Sequence, residues 1–162
     1  MNKILKVNEV IKVAKQLREQ GKSIVLVGGC FDILHAGHVT FLEHAKQQGD
    51  FLVVLLESDE TIQSTKGENR PIHTQIDRAK VLAALRVVDY IVLLKVLKTD
   101  RAYDNLLCKI KPTIIATTKG DPNRTHKERQ AKLINAKVSD VMERIENTST
   151  TKLAKLLTKD QL

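Results

Sequence analysis

Apolar positions recur along this chain in two alternating rhythms. Val7, Val10, Ile11, Ala14 and Leu17 fall at helical spacing, and Gly21 stands where such a helix would close. Residues 24–27 then form a short, unbroken apolar run, the mark of a strand buried on both faces. The alternation repeats downstream. Phe41, Leu42 and Ala45 predict a helix stopped at Gly49, and residues 51–56 a second buried strand. Residues 58–73 are polar, and the Lys-Gly-Glu-Asn-Arg-Pro segment within them, 66–71, reads as a loop. A helix opening near Thr74 carries Ile76, Ala79, Leu82, Ala83 and Leu85, followed by a third strand over 90–94. Tyr103, Leu106, Leu107 and Ile110 mark a helix ending before Pro112, and residues 113–117 a fourth strand. Thr125 and Glu128 have capping-box spacing, so a helix is expected from there to about Asn135. Residues 139–144 are weakly strand-like and suit an edge, and a closing helix is expected over 149–157.

Strands separated by helices of this length predict an α/β fold: a Rossmann-like three-layer sandwich around a mostly parallel, five-stranded sheet. The 162 residues suit one domain spanning residues 1–162. In such sheets the ligand lies beyond the carboxyl ends of the strands, at the point where strand order reverses. Residues 28–38, 57–70, 118–124 and 144–152 are therefore the places to look for chemistry.

Charge sharpens the picture. The net charge is +8, and eight basic residues against two acidic ones between Lys109 and Lys137 leave +6 there. Such a patch attracts phosphates. With no Trp, two Tyr and three Phe, little is available to stack on single-stranded bases, so no nucleic acid is expected. Two cysteines without a CxxC pair exclude a disulfide scaffold, and no apolar run reaches membrane-span length. A cytoplasmic protein without membrane attachment is the expectation.

The richest segment is Gly28-Gly-Cys-Phe-Asp-Ile-Leu-His-Ala-Gly-His38. Its glycines let the backbone leave the strand and approach a ligand, and Gly37 stands near a helix start, which favours anions. His35 and His38, three apart, can face one spot and donate to phosphate oxygens. Cys30 with both histidines could alternatively ligate zinc, although no fourth ligand suggests itself and no metal site is expected.

Gly29-Cys-Phe-Asp-Ile-Leu-His-Ala-Gly-His38 resembles the GxFDxxHxGH signature of the cytidylyltransferase-like nucleotidyltransferases. The resemblance extends further. Lys66 with Gly67, Arg70-Pro-Ile72 and Asp77-Arg78 look like the family's substrate loop and the helix after it. Lys119-Gly-Asp121 is similar to its turn after the fourth strand, and Arg144 with Ser149-Thr-Thr-Lys152 to its closing motif. In detail the chain looks most like D-glycero-D-manno-heptose 1-phosphate adenylyltransferases, then glycerol-3-phosphate cytidylyltransferases, with FAD synthetase-like enzymes third.

The resemblance implies transfer of a nucleotidyl group from ATP or CTP to a phosphorylated small molecule, with release of pyrophosphate. It implies catalytic roles for His35, His38, Lys66 and Arg144. Nucleotide binding would fall to Gly29, Cys30, Phe31, Gly37, Lys119, Gly120, Asp121, Ser149, Thr150 and Thr151. Asp32, Arg70 and Arg78 would serve the acceptor, with Mg²⁺ carried by the triphosphate, and a homodimer is implied. The chain departs from the heptose enzymes at Val27-Gly28, usually Thr-Asn, and at Glu57-Ser-Asp59, usually Asn-Ser-Asp. It departs again at Asp121-Pro122 and Asn147-Thr148, so base and acceptor stay open. Two other classes remain: a non-catalytic nucleotide-binding module, and a duplex-binding protein using residues 109–137.

Overall fold

The computed structural model describes residues 2–143. In chain order the elements are β1 (Ile4–Leu5), α1 (Val7–Glu19), β2 (Ile24–Gly29), α2 (Ala36–Lys46), β3 (Phe51–Leu56) and α3 (Asp59–Lys66). Next come α4 (Gln75–Ala84), β4 (Tyr90–Leu93), α5 (Asp100–Ile110), β5 (Ile114–Lys119), α6 (Arg124–Ile134) and β6 (Lys137–Glu143). The strands form one sheet in the order β1-β4-β3-β2-β5-β6, and every pairing is parallel.

Side chains alternate across the strands, so each strand feeds two cores. Ile24, Leu26, Val53, Leu55, Val92 and Ile115 face α1, α5 and α6, meeting Val10, Ala14, Leu17, Leu106, Leu107, Ile110 and Ala131. Val25, Val27, Leu52, Val54, Leu56, Ile91 and Ala116 face α2 and α4, meeting Leu42, Ala45, Ala79 and Leu82. Helices on both faces explain why the strands read as continuous apolar runs. This is the three-layer sandwich expected.

The sheet has six strands among the described residues, not five. β1 contributes two residues, registered as Ile4 with Ile91 and Leu5 with Val92, too short to leave a periodic signal. The far edge, β6, starts earlier than expected and shifts register against β5 between Thr117 and Thr118. α3 lies within the polar stretch 58–73, where the pattern predicts no helix. Ser58 caps it by accepting from the Thr61 amide, but only Ile62 is buried, so no apolar stripe announces the helix. The expected capping box at Thr125 and Glu128 is not formed. α6 starts at Arg124 without a side-chain cap, and Glu128 accepts from the Arg124 guanidinium at 2.8 Å. The predicted helix over 149–157 lies outside the described residues.

Strand order reverses between β2 and β5, whose carboxyl ends therefore flank the crevice where a ligand is expected.

Candidate active site

The site is built outward from the end of β2. Phe31 adopts φ +45°, a left-handed conformation that curls the chain back on itself. Its buried ring then lies so close to Gly29 that a Cβ there would sit 2.9 Å from it. Gly29 and Phe31 thus require each other, which fixes the exit from the strand. The same ring packs on His38, with centroids 5.2 Å apart. His35 is the N-cap residue of α2 and His38 lies in its first turn, so both imidazoles stand at the helix start. Their rings stack at 4.0 Å with 29° between planes.

Both Nδ1 atoms are buried without a hydrogen-bond partner among the described residues. Such atoms are costly unless something supplies a partner. Burial lowers the His35 pKa. Burial, then the His35 ring and the Lys66 ammonium, lowers that of His38 to about 4. The Ile33 backbone opposes the shift at His38 through a hydrogen bond, and both imidazoles are neutral at pH 7, each carrying one N–H.

Beneath the histidines, Asp32 ties the signature loop to residues 70–73. Its carboxylate accepts from the Ile72 and His73 amides at 2.9 Å and from Arg70 Nε at 2.7 Å. Burial alone would raise its pKa, but the two amides and the guanidinium outweigh it and hold the carboxyl below its ordinary value. Arg70 is itself buried, and its Nη2 has no partner among the described residues.

Arg78 was expected to touch the acceptor, but its side chain is fully buried. Its Nε donates to the His73 carbonyl, Nη1 to that of Cys30, and Nη2 to the Glu57 carbonyl and to Asp59 Oδ1. It therefore acts through the loops it joins. Asp32 is likewise enclosed, which leaves Arg70 as the one of the three expected acceptor residues with a whole amino group, Nη2, lacking a partner among the described residues.

Lys66 ends α3 and is exposed, with its ammonium acting on the Cys30 thiol and on His38. Burial raises the Cys30 pKa, Lys66 opposes that and Glu57 adds to it. Arg78 also opposes it, so Cys30 lies under the influence of two cationic neighbours and one anionic one. Glu57 follows β3, and Tyr103 Oη donates to both its carboxylate oxygens at 2.9 Å.

On the other side of the crevice, Gly120 turns the chain at φ +77° after β5. Asp121 accepts from the Lys127 ammonium and Thr117 Oγ1, each at 2.5 Å, and from the Asn123 amide at 2.8 Å. These contacts outweigh burial and lower its pKa. Lys119 is exposed, 2.8 Å from Glu143. Gly37 lies in the first turn of α2. Arg144, Ser149, Thr150, Thr151 and Lys152 lie outside the described residues.

Sequence reasoning passed over three participants. Lys127 is one of several basic residues in the patch between Lys109 and Lys137, yet its ammonium bridges Thr117 and Asp121. Tyr103 was counted only as a core position, and Gln75 holds strand ends together by donating to the Leu56 and Leu94 carbonyls. Nothing in residue spacing reports such contacts between distant segments. Among the described residues no group of three or more His, Cys, Asp or Glu could hold a metal ion. Nor is any helix there long and apolar enough to cross a membrane.

Residues 26–156 match the cytidylyltransferase-like family. The bifunctional protein HldE of Wolinella succinogenes is 47% identical over 113 residues, covering 70% of this chain and 23% of that protein. The bifunctional protein HldE of Pseudomonas fluorescens is 36% identical over 151 residues, covering 91% and 30%. The chain thus spans under a third of these relatives. The crystal structure of the lipopolysaccharide core biosynthesis protein from Thermoplasma volcanium superposes with a TM-score of 0.61 at 26% identity, covering 80% of this chain and 100% of that one. Pantoate-beta-alanine ligase from Francisella tularensis, at 17% identity and a TM-score of 0.62, shares the fold over 96% of this chain and 78% of its own. Taken with the paired histidines behind β2, these matches show that the chain belongs to the cytidylyltransferase-like family of nucleotidyltransferases.

Proposed function

We propose that this chain transfers the adenylyl group of ATP to a sugar 1-phosphate of the heptose 1-phosphate type, releasing pyrophosphate. The observation that carries the reaction type is the stacked His35–His38 pair, each ring with a buried, unpartnered Nδ1 at the start of α2. The choice of acceptor rests on resemblance to the heptose 1-phosphate adenylyltransferases.

The acceptor's phosphate oxygen attacks the α-phosphorus of ATP, an O–P bond forms, and the bond to the β-phosphate bridging oxygen breaks. The attacking oxygen is already anionic, so no general base is needed, and catalysis is alignment plus charge stabilisation. His35 and His38 donate to non-bridging α-phosphate oxygens as charge gathers there. Being neutral beforehand, they remain free to take up protons when the polyanion arrives. Lys66 lies beside them and neutralises phosphate charge, a role shared by Arg144. Arg70 turns its unspent Nη2 to the acceptor phosphate. The turn 119–121 and the Ser149–Thr151 hydroxyls hold the nucleotide.

Magnesium would be held by triphosphate oxygens and water. Asp32 and Asp121 fit that arrangement, because both are engaged by cations of the protein itself. Bound there, the ion would screen charge on the triphosphate.

The test is pyrophosphate release with Mg²⁺, crossing ATP, CTP, GTP and UTP against heptose 1-phosphate, glycerol 3-phosphate and flavin mononucleotide. Release confined to ATP with heptose 1-phosphate is expected. Release confined to CTP with glycerol 3-phosphate would replace both substrates, and silence throughout would refute the proposal.

A further inference from the structure

Glu57 is a carboxylate that the transfer reaction does not use. It sits at the carboxyl end of β3, where its amide donates to the Gly29 carbonyl and extends the β2–β3 pairing into the signature loop. Its side chain is partly buried, and no Lys, Arg or His forms an ion pair with it among the described residues. The nearby Arg78 guanidinium spends a donor on the Glu57 main-chain carbonyl instead. Among the described residues the one hydrogen-bond donor on the carboxylate is the Tyr103 phenol, 2.9 Å from both oxygens. Two ionised oxygens offer about four acceptor positions, so most of this capacity is unspent.

Burying a charge against one neutral donor is a poor structural bargain. Burial raises the Glu57 pKa, and Tyr103 and Arg78 oppose it only in part. A carboxamide would satisfy Tyr103 at less cost. The phenol fixes the orientation of the carboxylate, as a binding group needs.

Polarity supplies the rest. The thiol of Cys30 feels the cations of Lys66 and Arg78 and the anion of Glu57. Lys66 acts in turn on His38. The strand ends therefore present a cationic pole at Lys66 and an anionic pole at Glu57. A carboxylate accepts hydrogen bonds and repels anions. We infer that Glu57, held by Tyr103, is the specificity-determining residue for the acceptor's non-phosphate end, which must present a hydrogen-bond donor, a hydroxyl or an ammonium. This inference rests on the proposed nucleotidyl transfer for its bound phosphate, and it names what the other end of that acceptor carries.

The test is calorimetric binding of matched phosphates to the full chain: glycerol 3-phosphate, phosphoethanolamine, and n-propyl phosphate, which lacks both donor groups. Binding needs no turnover, so failure of the catalytic proposal shows separately, as absent pyrophosphate release. Wild type is expected to bind one donor-bearing phosphate at least about tenfold more tightly than n-propyl phosphate. Preference for glycerol 3-phosphate would identify a hydroxyl, and for phosphoethanolamine an ammonium. E57Q should abolish the preference while leaving n-propyl phosphate and ATP affinities unchanged, and Y103F should reduce it by a smaller factor. A wild type without preference would overturn the inference. So would an E57Q protein that keeps the preference, or one that loses affinity for all three phosphates alike.

Discussion

Arg70 Nε lies 2.7 Å from Asp32 Oδ2, with the aspartate side chain wholly enclosed and the arginine nearly so. This pair joins the histidine loop to residues 70–73, so the site's geometry depends on an interaction within the protein's interior. Removing one partner strands the other charge. D32N is expected to destabilise the fold by about 3 kcal/mol. In a chain of this size that lowers Tm by roughly 6–12 °C, and thermal melts would read it. Because the folded pKa of Asp32 is depressed, its contribution is present above the unfolded value and lost as pH falls through the folded one. D32N should therefore flatten the acid limb of the stability curve, and an unchanged limb would contradict this assignment.

His38 gives a pH dependence with the same sign by a different route. Its folded pKa is about 4 against 6.5 for the free group, so between those values the unfolded chain binds more protons. Stability due to this residue is complete above about pH 6.5 and falls toward pH 4. H38N should remove that slope in urea titrations followed between pH 4 and 7.

Triphosphate binding should reverse the shift, because an anion beside the imidazoles favours their charged forms. ATP binding near pH 6 is expected to take up protons. Calorimetry in two buffers of different ionisation enthalpy would measure the uptake. Equal heats in both buffers would count against phosphate contact at His35 and His38.

Lys127 holds Asp121 and Thr117 together behind the turn after β5. K127M frees the aspartate and loosens that turn. The expected result is a rise of about three- to tenfold in KM for the nucleotide. The acceptor KM should be unchanged, and steady-state kinetics with each substrate varied separates the two.

Arg78 bridges three carbonyls and Asp59 from a fully buried position. Lysine cannot reproduce a planar fork, so R78K is not conservative here. It should cost about 3 kcal/mol or more of stability and lower kcat/KM for both substrates together. A selective effect on the acceptor alone would restore Arg78 as a direct contact.

The layered fold was legible because strands buried on two faces are apolar throughout and the helices between them have stripes, as in Val10, Ala14 and Leu17. Elements without that contrast escaped notice. β1 has two residues, and α3 buries only Ile62. The loop from Gly29 to His38 could be read as chemistry because its glycines and histidines are sparse and regularly placed. Roles set by contacts across the sheet could not. Arg78 has the same sequence appearance whether it meets solvent or a cage of carbonyls, and Glu57 owes its clamp to Tyr103, 46 positions away. Lys119 and Asp121 differ likewise, the first exposed and the second engaged by Lys127.

The central claim is that the stacked histidines serve nucleotidyl transfer, and label carried from the α-phosphate of ATP tests it most directly. With heptose 1-phosphate and Mg²⁺, wild type should place that label in the sugar nucleotide, one equivalent per pyrophosphate released. H38N should lower kcat by roughly 10²–10³ while ATP affinity stays within a few-fold. Full turnover by H38N, or label that never leaves ATP in the wild type, would contradict the account.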